Sequence, residues 1–312
     1  MANRRGVPLI PTPNKLILSR EYPPANQLDR SGEKLRSADF SHKNLNRVIL
    51  AHTDLRSANL AYTQLIDAQM ANINLSGAIL TNANLTAANL RRANLLGAIL
   101  MGTILNRAIL SQTNLTGANL TEAELYKVNL TDSDLTHTIL RRACLSDANL
   151  NGARMCSVNA NGAELYHIYA SHTQLINAQL QGCDLRHATL YKTNLTRANL
   201  NCANLNQANI IKTDAKEAVL KHANLSHANF HQTNLAAADL QQVVMIHAKL
   251  TNINLSSANL QNAQLDHATI HDSQLKGIMW HQVSCQGTHF RNPIGLLKPE
   301  IDWLRSKGAI IS

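Results

Sequence analysis

The chain is poor in the residues from which pockets and catalytic sites are usually built. Aromatics make up 4% of its 312 residues and charged residues 16%. Both are low for an enzyme arranged around a shaped cavity and natural for a narrow interior filled by small aliphatic side chains. The five cysteines show neither paired nor metal-like spacing, which argues against a disulfide framework and a zinc site and fits reduced thiols in the cytoplasm. No apolar run approaches the roughly 20 residues that a membrane span needs. Arg4 and Arg5 precede Pro8, Pro11 and Pro13, a poor match to a secretory signal. There is no Gly-rich phosphate loop, nucleophile elbow or metal triad, so no catalytic residue, cofactor or metal is expected, and no enzyme.

What the sequence does have is a beat of five. In the stretch ANLTAANLRRANLLGAIL, Leu85, Leu90, Leu95 and Leu100 recur with alanine two places before each. On an α-helix a step of five rotates the side chain by about 500°, so successive leucines point about 140° apart. On a flat strand an odd step throws alternate leucines onto opposite faces. The pattern fits a chain that turns a corner every five residues, so that each leucine points inward from one side of a square and four sides close a coil.

The phase runs from Leu35 to Phe290 without insertion or deletion: 52 centres, 39 of them leucine. A small residue two places earlier (Ala58, Thr63, Ala68, Ala78) forms a second inward column, and Asn, Asp or Gln usually stands just before the centre. The two residues after it are mostly polar or glycine and form the corner. This A-N-L-x-x repeat resembles the pentapeptide repeat family, and the resemblance implies an all-β fold, a right-handed quadrilateral β-helix. Fifty-two pentapeptides give about 13 four-sided coils and, at about 4.8 Å per coil, a rod of roughly 62 Å.

Three segments follow: a proline-rich arm or cap over 1–32, the β-helix over 33–292, and a helical cap over 293–312. Pro299 suits the first turn of the final helix, Glu300 its positive end, Arg305 its negative end, and Gly308 its stop. Ile301, Trp303 and Leu304, with Trp280 and Phe290, either close the last coil or meet a second copy in a homodimer. The tail also looks like those of cyanobacterial members. Inside the rod, Ala160 and Ala170 are compensated by Val158 and Ile168, whereas Ala215 has only Thr213 beside it, so a pinch, bulge or cavity is expected there.

Residues twenty apart should stack, so a functional surface should appear as a column. Ile79, Ile99 and Ile139 share a column where the repeat calls for a polar residue, and Leu96, Met101 and Ile104 lie beside them. Clustered outward apolar residues point to a protein partner, although isoleucine also favours short strands. His167, His187, His227, His247 and His267 share a corner column interrupted by Gln207, a pH-sensitive or metal-binding ladder if functional. Ten of the 14 histidines occupy second corner positions in any case, and from 167 to 267 no Cys, Asp or Glu joins that column. Tyr126, Tyr166, Tyr169 and Tyr191 make a further candidate patch.

The expected function is a non-catalytic rod that binds or scaffolds another protein and regulates it. The resemblance also raises a nucleic-acid-directed alternative, because some members mimic duplex DNA and bind topoisomerases such as DNA gyrase. A mimic needs an acidic surface, and residues 33–292 carry 21 Lys and Arg against 16 Asp and Glu, a net of +5. Direct nucleic-acid binding is allowed by the net charge of +9, but the basic residues show no single stripe in the sequence.

Overall fold

The computed structural model describes residues 28–312; the arm expected before residue 28 lies outside them. Over this range the chain is a β-solenoid of stacked square coils. Each side pairs in parallel with the side twenty residues on, from Asp29↔Ile49 to Gln274↔Ile294. The ladder therefore begins one side earlier than the boundary at 33, because Arg30 N–H and Gly32 N–H already donate to Ile49 and Ala51. Sides are named by their inward centres: first (Phe40, Leu60, Leu80), second (Leu45, Leu65, Leu85), third (Leu50, Met70, Leu90) and fourth (Leu55, Leu75, Leu95).

The five-residue beat has a backbone cause. At every fifth residue from Gly32 to Asn292, φ is positive, between 48° and 72°. A right-angle corner needs this left-handed residue, which costs an ordinary L-residue roughly 1–2 kcal/mol. Glycine, asparagine, aspartate and histidine tolerate it best, which explains why ten histidines sit there. Each centre from Phe40 to Phe290 is then buried, with Leu55, Leu60, Leu85 and Leu100 fully covered, while Leu35 in the first coil is half-buried.

Threonines in the small inward column are buried without being orphaned. Thr63, Thr103, Thr138 and Thr173 donate their hydroxyls to the centre carbonyls of Phe40, Leu80, Leu115 and Leu150, 23 residues earlier, all at 2.8 Å. Ala215 does not produce a bulge: its N–H donates to Asn234 O at 2.7 Å, and Asp214 O accepts from Leu195 N–H at 2.6 Å.

On the third side the C-terminal coils open into regular three-residue strands, β1 (Thr189–Tyr191), β2 (Asn209–Ile211), β3 (Asn229–His231), β4 (Lys249–Thr251), β5 (Thr269–His271) and β6 (His289–Arg291). The expected helix is α1, Lys298–Ser306, and Glu300 Oε2 accepts the Leu297 N–H at its start. Leu304 is fully buried beneath it, while Ile301 and Trp303 are half-buried. After Gly308, whose φ of +88° suits glycine, Ile310–Ile311 form β7 and extend the sheet in parallel from β6. That last strand was not expected from sequence; it covers backbone groups that an open edge would expose.

Candidate functional site

Why the repeat prefers Asn before each centre decides how its exceptions are read. The Asn or Asp side chain accepts the backbone N–H two residues on: Asn59 from Ala61 (3.1 Å), Asn84 from Thr86 (3.0 Å), Asn119 from Thr121 (3.0 Å) and Asp134 from Thr136 (2.9 Å). It is an Asx turn repeated along the rod.

Where the position holds another residue, the coil below supplies the acceptor at five corners. Asn46 takes the Ile66 N–H, Asn106 that of Tyr126, Asn151 that of Ser171, Asn161 that of Gln181 and Asp266 that of Gln286. The residues before those centres are Gln64, Glu124, Tyr169, Gln179 and Ser284.

At Ile79, Ile99 and Ile139 neither source exists. The corner N–H groups of Thr81, Met101 and Arg141 have no side-chain acceptor among the described residues, since Ala61, Thr81 and Thr121 stand in the coil below. These isoleucines thus give up a corner hydrogen bond that most sides of the rod keep.

Ile79 and Ile99 are direct ladder partners on the first side, and Asn119 separates Ile99 from Ile139. Leu96 is 46% exposed, Met101 41%, and Ile79 and Ile99 39% each. Ile139 and Ile104 are half-buried, and Ile104 lies on the second side. Ile109, exposed on the third side of the same coil, belongs to the same apolar girdle and was missed by a reading that followed one column. The corner entering the first side carries Gly77, Gly97 and Gly117 in one stack; a side chain at Gly97 or Gly117 would meet nothing within 4 Å. The apolar residues therefore stand beside a bare corner.

Tyr166 and Tyr169 are brought together with two of the expected histidines. Tyr166 meets His187 and Tyr169 meets His167 edge-on, both at 5.4 Å, and Arg186 lies over the Tyr166 ring. Arg186 also forks onto Asp184, and this hydrogen-bonded ion pair holds the Asp184 carboxyl below its ordinary range. An open groove of about 580 Å³ runs beside Glu164, Tyr166 and Arg186. Tyr126 is two coils away.

The histidine column divides in two. His167 Nδ1 lies 2.7 Å from Asp147, an acid one coil below the stretch considered from sequence. Beyond Gln207, His227, His247 and His267 stack at 5.2 Å with rings 20° and 15° from parallel. Stacked imidazoles hold their nitrogen lone pairs in parallel planes and do not converge on one point, and no cluster of three metal-ligating side chains occurs among the described residues. At the C-terminal end Trp280 meets Phe290 edge-on at 6.1 Å. A cleft of about 500 Å³ lies between Trp280, His281, Pro299 and Trp303. Among the described residues no helix is long and apolar enough to cross a membrane.

Comparison with curated proteins returns no match. Among solved structures the chain is similar to HetL, a pentapeptide repeat protein involved in heterocyst differentiation regulation in the cyanobacterium Nostoc sp. strain PCC 7120. Identity is 24% over 84% of this chain and 91% of that one, with a TM-score of 0.34. QnrB1, a plasmid-mediated fluoroquinolone resistance protein, shares 15% identity over 64% of this chain and 89% of that one, with a TM-score of 0.47. Rfr23, a pentapeptide repeat protein of the cyanobacterium Cyanothece 51142, shares 25% over 38% and 91%, with a TM-score of 0.30. The family model for pentapeptide repeats matches in eight copies, the first over residues 34–70 and the last over 238–277. With the square coils, inward leucines and Asx corners already in view, the chain belongs to the pentapeptide repeat family.

Proposed function

We propose that this protein is a non-catalytic rod that regulates another protein by binding it through the apolar girdle of Ile79, Leu96, Ile99 and Met101. The observation that carries this reading is the exposure of Ile79, Leu96, Ile99 and Met101 together on adjacent coils. At Ile79 and Ile99 a polar residue would serve the fold, yet an exposed apolar side chain stands there beside a bare glycine corner. Burying such side chains under a partner supplies the usual driving force of an interface centre.

The test is capture of partners from an extract of the native host by the wild type and by Ile99→Asp and Met101→Asp. Loss of one partner from both variants, with unchanged far-UV circular dichroism, supports the girdle; an unchanged partner set refutes it.

A further inference from the structure

Seven of the 14 histidines gather on one side of the rod. They occupy the third side over β1 to β6. Its entering corner carries His187, His227, His247 and His267; its flat strands and exit corner carry His231, His271 and His289. The corner conformation explains the first four, as it explains histidines on the other corners. It does not explain the last three, which lie in strand backbone. Only four histidines of the chain lie off the left-handed corner, and three of those four are here.

The same side collects fixed positive charge. Lys192 and Lys212 stack on the exit corner, since Tyr191 and Ile211 are ladder partners. Lys249 projects from β4 and Arg291 ends β6. All four are exposed, and none has an ion-pair partner among the described residues. The opposing acids are few. Asp272 on this side accepts from Asn292, and Asp266 at its rim accepts from Ser284 and from the Gln286 N–H. Around the edges, Asp184 is held by Arg186 and Asp214 accepts from Asn234.

Four cations against Asp272 and Asp266 leave +2, and protonating the seven imidazoles raises this to +9. Imidazole is the side chain whose ordinary titration crosses pH 5 to 8. The stacked rings of His227, His247 and His267 can all become charged together only with repulsion between neighbours, and a bound anion relieves it.

We propose that this side is a sequence-independent binding face for the phosphate backbone of nucleic acid, engaged when its histidines are protonated. Charge complementarity favours a polyanion, and the chemistry of the face favours phosphate. Asn209, Asn229, Thr189 and Thr269 add hydrogen-bond donors of the kind that phosphates accept. Thr189, Asn209, Asn229, Lys249 and Thr269 form one column of donors that recurs at the coil spacing of about 4.8 Å, which suits a ligand with its own regular negative repeat. No large apolar side chain on β1 to β6 is strongly exposed, so the face lacks the anchor expected for a protein interface or for insertion into a bilayer.

The probe is a fluorescently labelled mixed-sequence 24-base-pair DNA duplex, read by anisotropy at pH 5.5 and pH 7.5 with the full chain. Affinity should rise at least 30-fold on going to pH 5.5, and log Kd at pH 5.5 should change with log salt with a slope of magnitude 4 or more, as for release of several counterions. The triple variant His227→Gln, His247→Gln, His267→Gln should lose most of the pH dependence. Glutamine already occupies this column at Gln207, so the corner tolerates it. Lys192→Glu with Lys212→Glu should weaken binding at both pH values, whereas Arg91→Glu, on an earlier coil, should not. Circular dichroism at both pH values checks that each variant folds, and for the wild type the slope of log Kd with pH independently counts protons taken up. Equal pH dependence in the triple variant and the wild type overturns the proposal. So does stronger binding of polyglutamate than of duplex at matched charge, which would assign the face to an acidic protein.

Discussion

Ile99→Asn separates the needs of the fold from those of the girdle, because the two pull in opposite directions at this residue. Asparagine would offer the Met101 N–H the acceptor that Asn119 gives Thr121 one coil on, at 3.0 Å. A bond of that kind contributes about 1 kcal/mol net. Against it stands the loss of isoleucine's strand preference, within a scale that spans about 1 kcal/mol. Stability should therefore hold or rise by up to about 0.5 kcal/mol in urea denaturation, and exchange of the Met101 amide with solvent should slow. Binding should behave differently. Ile99 is 39% exposed, and complete burial of such a side chain is worth about 1.5–3 kcal/mol, so covering the remaining surface contributes about 1 kcal/mol. Placing a carboxamide under the partner adds at least about 1 kcal/mol. The sum, about 2 kcal/mol, is about a 30-fold loss of affinity, measurable by calorimetry with the captured partner. A variant more than 1 kcal/mol less stable, with Met101 exchange unchanged, would show that the corner hydrogen bond was misjudged and that isoleucine serves the fold.

Leu200→Ala should cost about 2–5 kcal/mol by chemical denaturation, since the coils above and below cannot close the cavity. Thr103→Val keeps the volume but removes the 2.8 Å bond to Leu80 O. That carbonyl still accepts the Ala83 N–H, so the loss should stay near 0.5–1 kcal/mol. Ala215→Leu should raise stability by about 1 kcal/mol, because the ladder around Ala215 keeps its spacing and leaves the room of a missing side chain; a fall would mean that the interior has closed in. Burial pushes the Cys183 thiol up to about 12 and the Cys285 thiol up to about 11. An aromatic disulfide reagent at pH 8 should therefore label exposed Cys202 in the native protein and reach Cys183 and Cys285 only on unfolding. The sign for stability follows from the raised values. Unfolded thiols ionise from about 9 upward while the native ones stay neutral, so this contribution is full below 9 and is lost as pH rises toward 12.

Much of the fold was legible because the period is strict: a leucine every fifth residue is incompatible with helix and flat strand alike. The C-terminal helix was legible for local reasons, through Pro299, Glu300, Arg305 and Gly308. β7 was not. Two isoleucines and a serine after a glycine have no periodicity, and their pairing with His289 and Phe290 depends on where α1 turns the chain. The start of the ladder at Asp29 was hidden by Arg30, a charged residue in a position that elsewhere holds leucine. At the candidate girdle the column arithmetic placed Ile79 beside Ile99, but Ile109 was overlooked because it stands on another side.

The sequence by itself determined the square coil, the inward columns and the twenty-residue stacking, because one short-range rule repeated without interruption leaves the backbone no other register. Only the tertiary structure decided what the exceptions mean. Whether a missing asparagine is replaced by an acceptor from the coil below, as at Tyr126, or by nothing, as at Met101, depends on residues twenty positions apart. The sequence likewise showed no single basic stripe, because Lys249 and Arg291 occupy different positions in their pentapeptides from each other and from the stacked pair Lys192 and Lys212. They share one side of the rod only after the coils have stacked.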